Sequence, residues 1–99
     1  MKIVKIFVLL VFTSVCASAQ NNIFIGRDFW KTNPTIAQIE AKIQEGNSPS
    51  ELNRFGFDAV VYALLEKADD TIIKHLLTKE GNDVNKLTHD GRTYIFWAA

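Results

Sequence analysis

Apolar residues recur along this chain with the spacing of helices, and polar breakers separate them. Ile36, Ile39 and Ile43 fall at i, i+3 and i+7 with Ala37 and Ala41 beside them, while Gln38, Glu40, Lys42 and Gln44 take the other face. Asn33-Pro34 supplies a cap and a first-turn proline, and Gly46-Asn47 before Ser48-Pro49-Ser50 stops the run, so a helix is expected over Pro34–Glu45. The segment DAVVYALLEK, Asp58–Lys67, is almost wholly apolar, as a helix covered on several sides would be. Val60-Val61 alone would suit a strand, but the flanking caps and Ala63-Leu64-Leu65 favour a helix. A third helix, Thr71–Lys79, carries the stripe Ile72, Ile73, Leu76 and Leu77, with Asp69 or Asp70 to cap it and Lys79 set favourably at its C-terminal end. A fourth begins at Thr93, and Asn85–Arg92 before it reads as an extended, hairpin-like turn without a paired sheet. Between Gln20 and Asn33, the large residues Ile23, Phe24, Ile25, Phe29 and Trp30 predict a lead-in that packs down.

These elements repeat. Gly56 and Gly91 are 35 residues apart, as are Ala63 and Ala98, and each glycine precedes an apolar segment at the same offset. Two helices and a turn in about 33 residues is the period of an ankyrin repeat. The end of the chain carries the resemblance best. Leu76-Leu77, Gly81, Asp83-Val84-Asn85, Asp90-Gly91, Arg92-Thr93 and Ala98-Ala99 fall where such a repeat would have them. The chain thus resembles the N-terminal portion of an exported bacterial ankyrin-repeat protein. It departs from the family at Tyr94-Ile95-Phe96, where the usual pattern has Pro-Leu-His, and at Asp58-Ala59-Val60-Val61, where no Thr-Pro opens the helix. The earlier unit is also two residues longer than the family's, near Ala68 and near Glu80.

The resemblance implies an all-α, ankyrin-type helix-turn-helix solenoid over residues 34–99, about two repeats and the start of another, behind a lead-in or cap over 20–33. The sequence stops midway through a repeat, which reads as a fragment of a longer protein. Tyr94, Ile95, Phe96 and Trp97 are then expected to form an exposed apolar end prone to self-association.

Residues 1–19 have the three-part form of a signal peptide: Lys2 and Lys5, an apolar core from Ile6 to Val15, and Ala17-Ser18-Ala19 ahead of cleavage before Gln20. An apolar stretch this short does not span roughly 30 Å of hydrocarbon, so no stable membrane insertion is expected after its removal. Cys16 raises lipoprotein anchoring, against which Val15 argues, because a small residue normally precedes the acylated cysteine. The expected location is the periplasm or outside the cell. The mature chain then has no cysteine and carries nine basic against eleven acidic residues, a net charge of −2, with no basic cluster to mark a nucleic-acid partner.

The chemistry-bearing residues are few. His75 and His89 lie on different elements, and a metal site needs three or four converging ligands, so none is assigned. Asp69-Asp70 is explained by capping, and Gly46, Gly56, Gly81 and Gly91 are isolated turn glycines, not a phosphate cradle. Trp30 and Trp97 fit packing better than ligand stacking. No catalytic or cofactor-binding residue and no cofactor is expected, and the chain is read as a non-enzyme. Hairpin tips line the concave face of a solenoid, which makes Thr88, His89, Asp90 and Arg92 the candidates for contact with a partner protein. The function implied is an exported scaffold for protein–protein binding. The alternative is a cell-envelope accessory protein, such as an immunity protein or the protector of a periplasmic enzyme.

Overall fold

The computed structural model describes residues 21–99, so the expected signal peptide, its cleavage site and Cys16 lie outside the described residues. Within them the chain is all-helical, with no strand. Its elements are α1 (Arg27–Lys31), α2 (Ile36–Gln44), α3 (Ala59–Leu65), α4 (Asp70–Leu77), a 3-10 turn at His89–Gly91 and α5 (Tyr94–Ala98).

The four expected helices are present with shifted ends, and at α4 Asp69 holds the N-terminal cap position without the side-chain bond expected of it. α2 starts at Ile36 and not at Pro34, because Thr35 and Gln38 form a reciprocal capping box, the amide of Gln38 donating to Thr35 Oγ1 (3.2 Å) and the amide of Thr35 to Gln38 Oε1 (2.8 Å). Asn33, expected as the cap, instead takes a left-handed turn at φ 56°. Its far end closes in a Schellman motif, with the amide of Gly46 on Ile43 O (2.9 Å) and that of Asn47 on Lys42 O (3.1 Å). α3 closes the same way, with Lys67 on Leu64 O (3.1 Å) and Ala68 on Ala63 O (2.9 Å), so it ends at Leu65. Here the left-handed position, which usually takes glycine, holds Lys67 at φ 60°. α4 runs Asp70–Leu77, ending before Lys79 as the Thr78 hydroxyl donates back to His75 O (2.6 Å).

α1 is the element that apolar spacing did not reveal. The lead-in packs down around it: Phe24 is fully buried, Trp30 is 2% exposed and donates Nε1–H to Phe24 O (3.0 Å), and Phe29 meets both rings edge-on. α3 is the centre of the molecule, packed on by α1, α4 and α5. Ala59, Val60, Val61 and Ala63 are all buried, which is why this helix has no polar face to speak of. Ile39 from α2, Ile72 and Leu76 from α4 and Tyr94 from α5 complete the core. The expected exposed apolar end is only partly present. Tyr94 is buried, Trp97 is half-buried, and only Ile95 (79%) and Phe96 (51%) stand out of the final helix.

Candidate interaction surface

Two tips precede α3 and α5, and their backbone hydrogen bonds repeat at an offset of 35. In the first tip the amide of Asn53 donates to Phe57 O (2.8 Å) and that of Gly56 to Asn53 O (2.9 Å). In the second, Thr88 donates to Arg92 O (2.9 Å) and Gly91 to Thr88 O (2.8 Å). The braces from tip to helix repeat as well: Asn53 Nδ2 donates to the Tyr62 hydroxyl (3.0 Å), and Trp97 Nε1 donates to Thr88 Oγ1 (2.8 Å). Asp58, at the N-terminus of α3, caps it by accepting from the amide of Val61 (3.0 Å), and Thr93 holds the equivalent position before α5.

The tips are joined to one another. The amide of His89 donates to Gly56 O (2.8 Å), and His89 Nδ1 lies 2.6 Å from Phe55 O, so that nitrogen carries the proton. The imidazole stacks on Phe57, with centroids 4.8 Å apart and planes at 26°. Gly56 is required at this joint: a Cβ there would come 2.9 Å from the backbone N and Cα of His89.

Beneath the tips lies a buried polar joint. The Asp58 carboxylate is fully buried; its Oδ2 accepts from Lys86 Nζ (2.7 Å) and from the Tyr94 hydroxyl (2.6 Å). Lys86 gives its other hydrogens to Ser50 O (2.6 Å) and Asn82 Oδ1 (3.3 Å). Asn82 in turn donates Nδ2 to Pro49 O (2.9 Å) and Leu76 O (3.0 Å). Burial, with the hydrogen bond to Asp58 added, pushes the Tyr94 hydroxyl well above the ordinary phenol range. Among the described residues no buried side-chain nitrogen or oxygen lacks a partner. The polar atoms of the joint are thus paired with one another and with the backbone. It fixes where the tips stand.

The four expected contact residues do not share one face. Thr88 is 7% exposed, and its hydroxyl accepts from Trp97 and donates to Arg92 O, so it faces inward and is unavailable to a partner. His89 is half-buried in the tip–tip contact, with Asp90 Oδ2 3.4 Å from its Nε2. Asp90 is exposed, and Arg92 lies over Phe96, its Cζ 4.2 Å from the ring centroid and 5.7 Å from that of Trp97. The first tip adds two residues that sequence reading missed, Arg54 and the exposed Phe55, the guanidinium 4.8 Å from that ring's centroid. The repeat offset could have found them, since it carries His89 and Asp90 onto Arg54 and Phe55.

His75 does not lie free on the surface either. Its Nε2 meets Glu40 Oε2 at 2.7 Å, and Lys79 Nζ meets the same oxygen at 2.6 Å, bracing α4 against α2. Lys79 first and His75 second hold the Glu40 carboxyl below its ordinary range. Among the described residues no group of three or more His, Cys, Asp or Glu side chains could hold a metal ion. Val60, Leu64, Ile73, Leu77, Tyr94 and Ile95 line an apolar groove of about 270 Å³. Among the described residues no helix is long and apolar enough to cross a membrane. Compared with known protein families, with curated proteins and with solved structures, the chain matches none.

Proposed function

We propose that the chain is an exported, ankyrin-type repeat scaffold that binds another protein through its tips and has no chemistry of its own. The observation that carries this reading is the repetition of the tips: the same backbone hydrogen bonds and the same tip-to-helix brace recur at Asn53–Phe57 and Thr88–Arg92, 35 residues apart. A unit of that length, built from an inner helix, an outer helix and a tip, serves repeat proteins as a rigid platform whose tips can vary without disturbing the core. The polar joint supports the reading too. Every buried donor and acceptor in it is used on structure, and the residues left outside, Arg54, Phe55, Asp90 and Phe96, are of kinds that make contacts with proteins.

Site-specific photocrosslinking in the producing cell tests the proposal. A photoreactive residue at Phe55 or Phe96 should yield an adduct with one protein, and the same residue at Thr71 or Gln44 on the outer helices should not. Adducts distributed equally over all four positions, or none at the tips, would overturn it. The mass of the mature chain tests export in the same material, with Gln20 expected as its first residue.

A further inference from the structure

We propose that the tips select an acidic protein segment, with Arg54 and Arg92 as its carboxylate receptors; this rests on the binding reading above and specifies the partner's chemistry. Both guanidinium groups lie over aromatic rings, Arg54 on Phe55 and Arg92 on Phe96, with Trp97 beyond. An arginine stacked in this way keeps its planar fork of N–H donors in one orientation while the ring supports it from below. Among the described residues neither guanidinium makes an ion pair or a side-chain hydrogen bond. The other basic groups facing the core or the braces are committed: Lys86 to Asp58, Lys79 to Glu40, Arg27 to Glu66.

The acidic groups nearby leave this charge available. Asp90 lies 3.4 Å from His89 Nε2, and Glu51 accepts from Asn22 Nδ2 at 2.9 Å. Two adjoining tips, held together by His89 on the carbonyls of Phe55 and Gly56, thus present two uncommitted cations beside two exposed rings, Phe55 and Phe96. The complementary ligand has carboxylates that meet each fork two hydrogen bonds at a time, with an apolar side chain between them for the rings. The attraction is local. The formal net charge is zero over the whole sequence and −2 without residues 1–19, so the long-range field does not draw acidic partners.

Display of random peptides against the purified protein tests this, with affinities then measured by fluorescence anisotropy on labelled copies of the selected peptides. The sequences recovered should be rich in Asp and Glu around an apolar residue. Amide versions of them should bind about tenfold more weakly, and Arg54→Gln and Arg92→Gln should each weaken binding about threefold to tenfold without changing thermal unfolding. Arg92→Lys should recover only part of the loss, since it keeps the charge and loses the fork. Raising the salt from about 0.05 to about 0.5 M should weaken the wild type more than either variant. Recovery of basic or wholly apolar peptides, lost on Phe96→Ser but indifferent to Arg92→Gln, would overturn the acidic assignment and leave the scaffold standing. Recovery of no tip-dependent peptide would count against both. Tighter binding of inorganic polyphosphate or of phosphatidylglycerol vesicles than of acidic peptides would show a general polyanion surface and overturn the assignment.

Discussion

Glu40 on α2 and His75 on α4 stand 35 positions apart, and their side chains meet at 2.7 Å. The repeat of the sequence is here a direct contact in space, and Lys79 makes the same carboxylate two-handed. The Glu40 carboxyl is held below its ordinary value of 4.5, chiefly by Lys79, so the unfolded chain takes up its proton first as the pH falls. Its stabilising contribution is complete above that ordinary value and is lost as pH drops through the lower, folded one. Thermal melts between pH 6 and pH 3 should therefore fall less steeply for Glu40→Gln than for the wild type. Parallel curves would mean that the brace carries no proton linkage.

The buried joint should respond most sharply to loss of its cation. Lys86→Met leaves the Asp58 carboxylate buried without its counter-charge, an arrangement that costs about 3–5 kcal/mol. Tyr94→Phe removes one donor from the same oxygen and should cost about 1–3 kcal/mol. Urea unfolding of both variants measures the two losses, and the order Lys86 greater than Tyr94 is the expected result.

Alkaline conditions probe the same joint. Tyr94 is held neutral in the fold by burial and by Asp58, while the unfolded chain ionises it near its ordinary value of 10.0. Unfolding then releases a proton, so stability should decline as the pH rises above about 10, and Tyr94→Phe should flatten that decline. Equal slopes for the two proteins would refute the assignment.

Two left-handed positions give opposite forecasts. Lys67 sits at φ 60° where a Schellman motif favours glycine, and Lys67→Gly should raise stability by about 0.5–1 kcal/mol. Gly56→Ala has the reverse effect, because its methyl group would press on the His89 backbone at 2.9 Å and strain φ 85°. A loss of about 2 kcal/mol or more is expected, with detachment of the tips visible as altered near-ultraviolet dichroism of Trp97.

Leu76 is fully buried between α4 and α3, so Leu76→Ala should cost about 2–5 kcal/mol by denaturant titration. A loss under about 0.5 kcal/mol, normal for exposed sites, would contradict its placement.

Periodic apolar positions made α2 and α4 legible, because burial on one side of a helix leaves a mark every third or fourth residue. α3 is read from an almost wholly apolar run between caps, and α5 from the apolar run after Thr93. α1 left no such mark: it is five residues long, its N-terminal position is Gly26 without a side-chain cap, and it is held by tertiary packing of Phe24, Phe29 and Trp30. Asn33 reads as the cap, but Thr35 holds that place, because its side chain and that of Gln38 bond reciprocally to each other's backbone. The candidate surface was half legible. Asp90 is exposed as its place in a tip suggests and Arg92 is half-buried over Phe96, but Thr88 is a polar residue whose partners, Arg92 O and Trp97 Nε1, lie on separate elements. Nothing local marks Lys86 as a buried cation either, since its carboxylate lies 28 residues earlier in the chain.

Repeat arrays hold together mainly through nearest neighbours and can fray one unit at a time. The joint at Lys86 works against that freedom. One ammonium is shared among the Ser50 connection, the start of α3 and Asn82, and the carboxylate that receives it also receives Tyr94 from the next unit. Peeling α5 away would open a charged pair to water inside the first unit, and loosening the first unit would strip α5 of its anchor. Two segments that look separable by sequence are thereby tied together, and both tips are expected to stay on a common base until the chain unfolds as one.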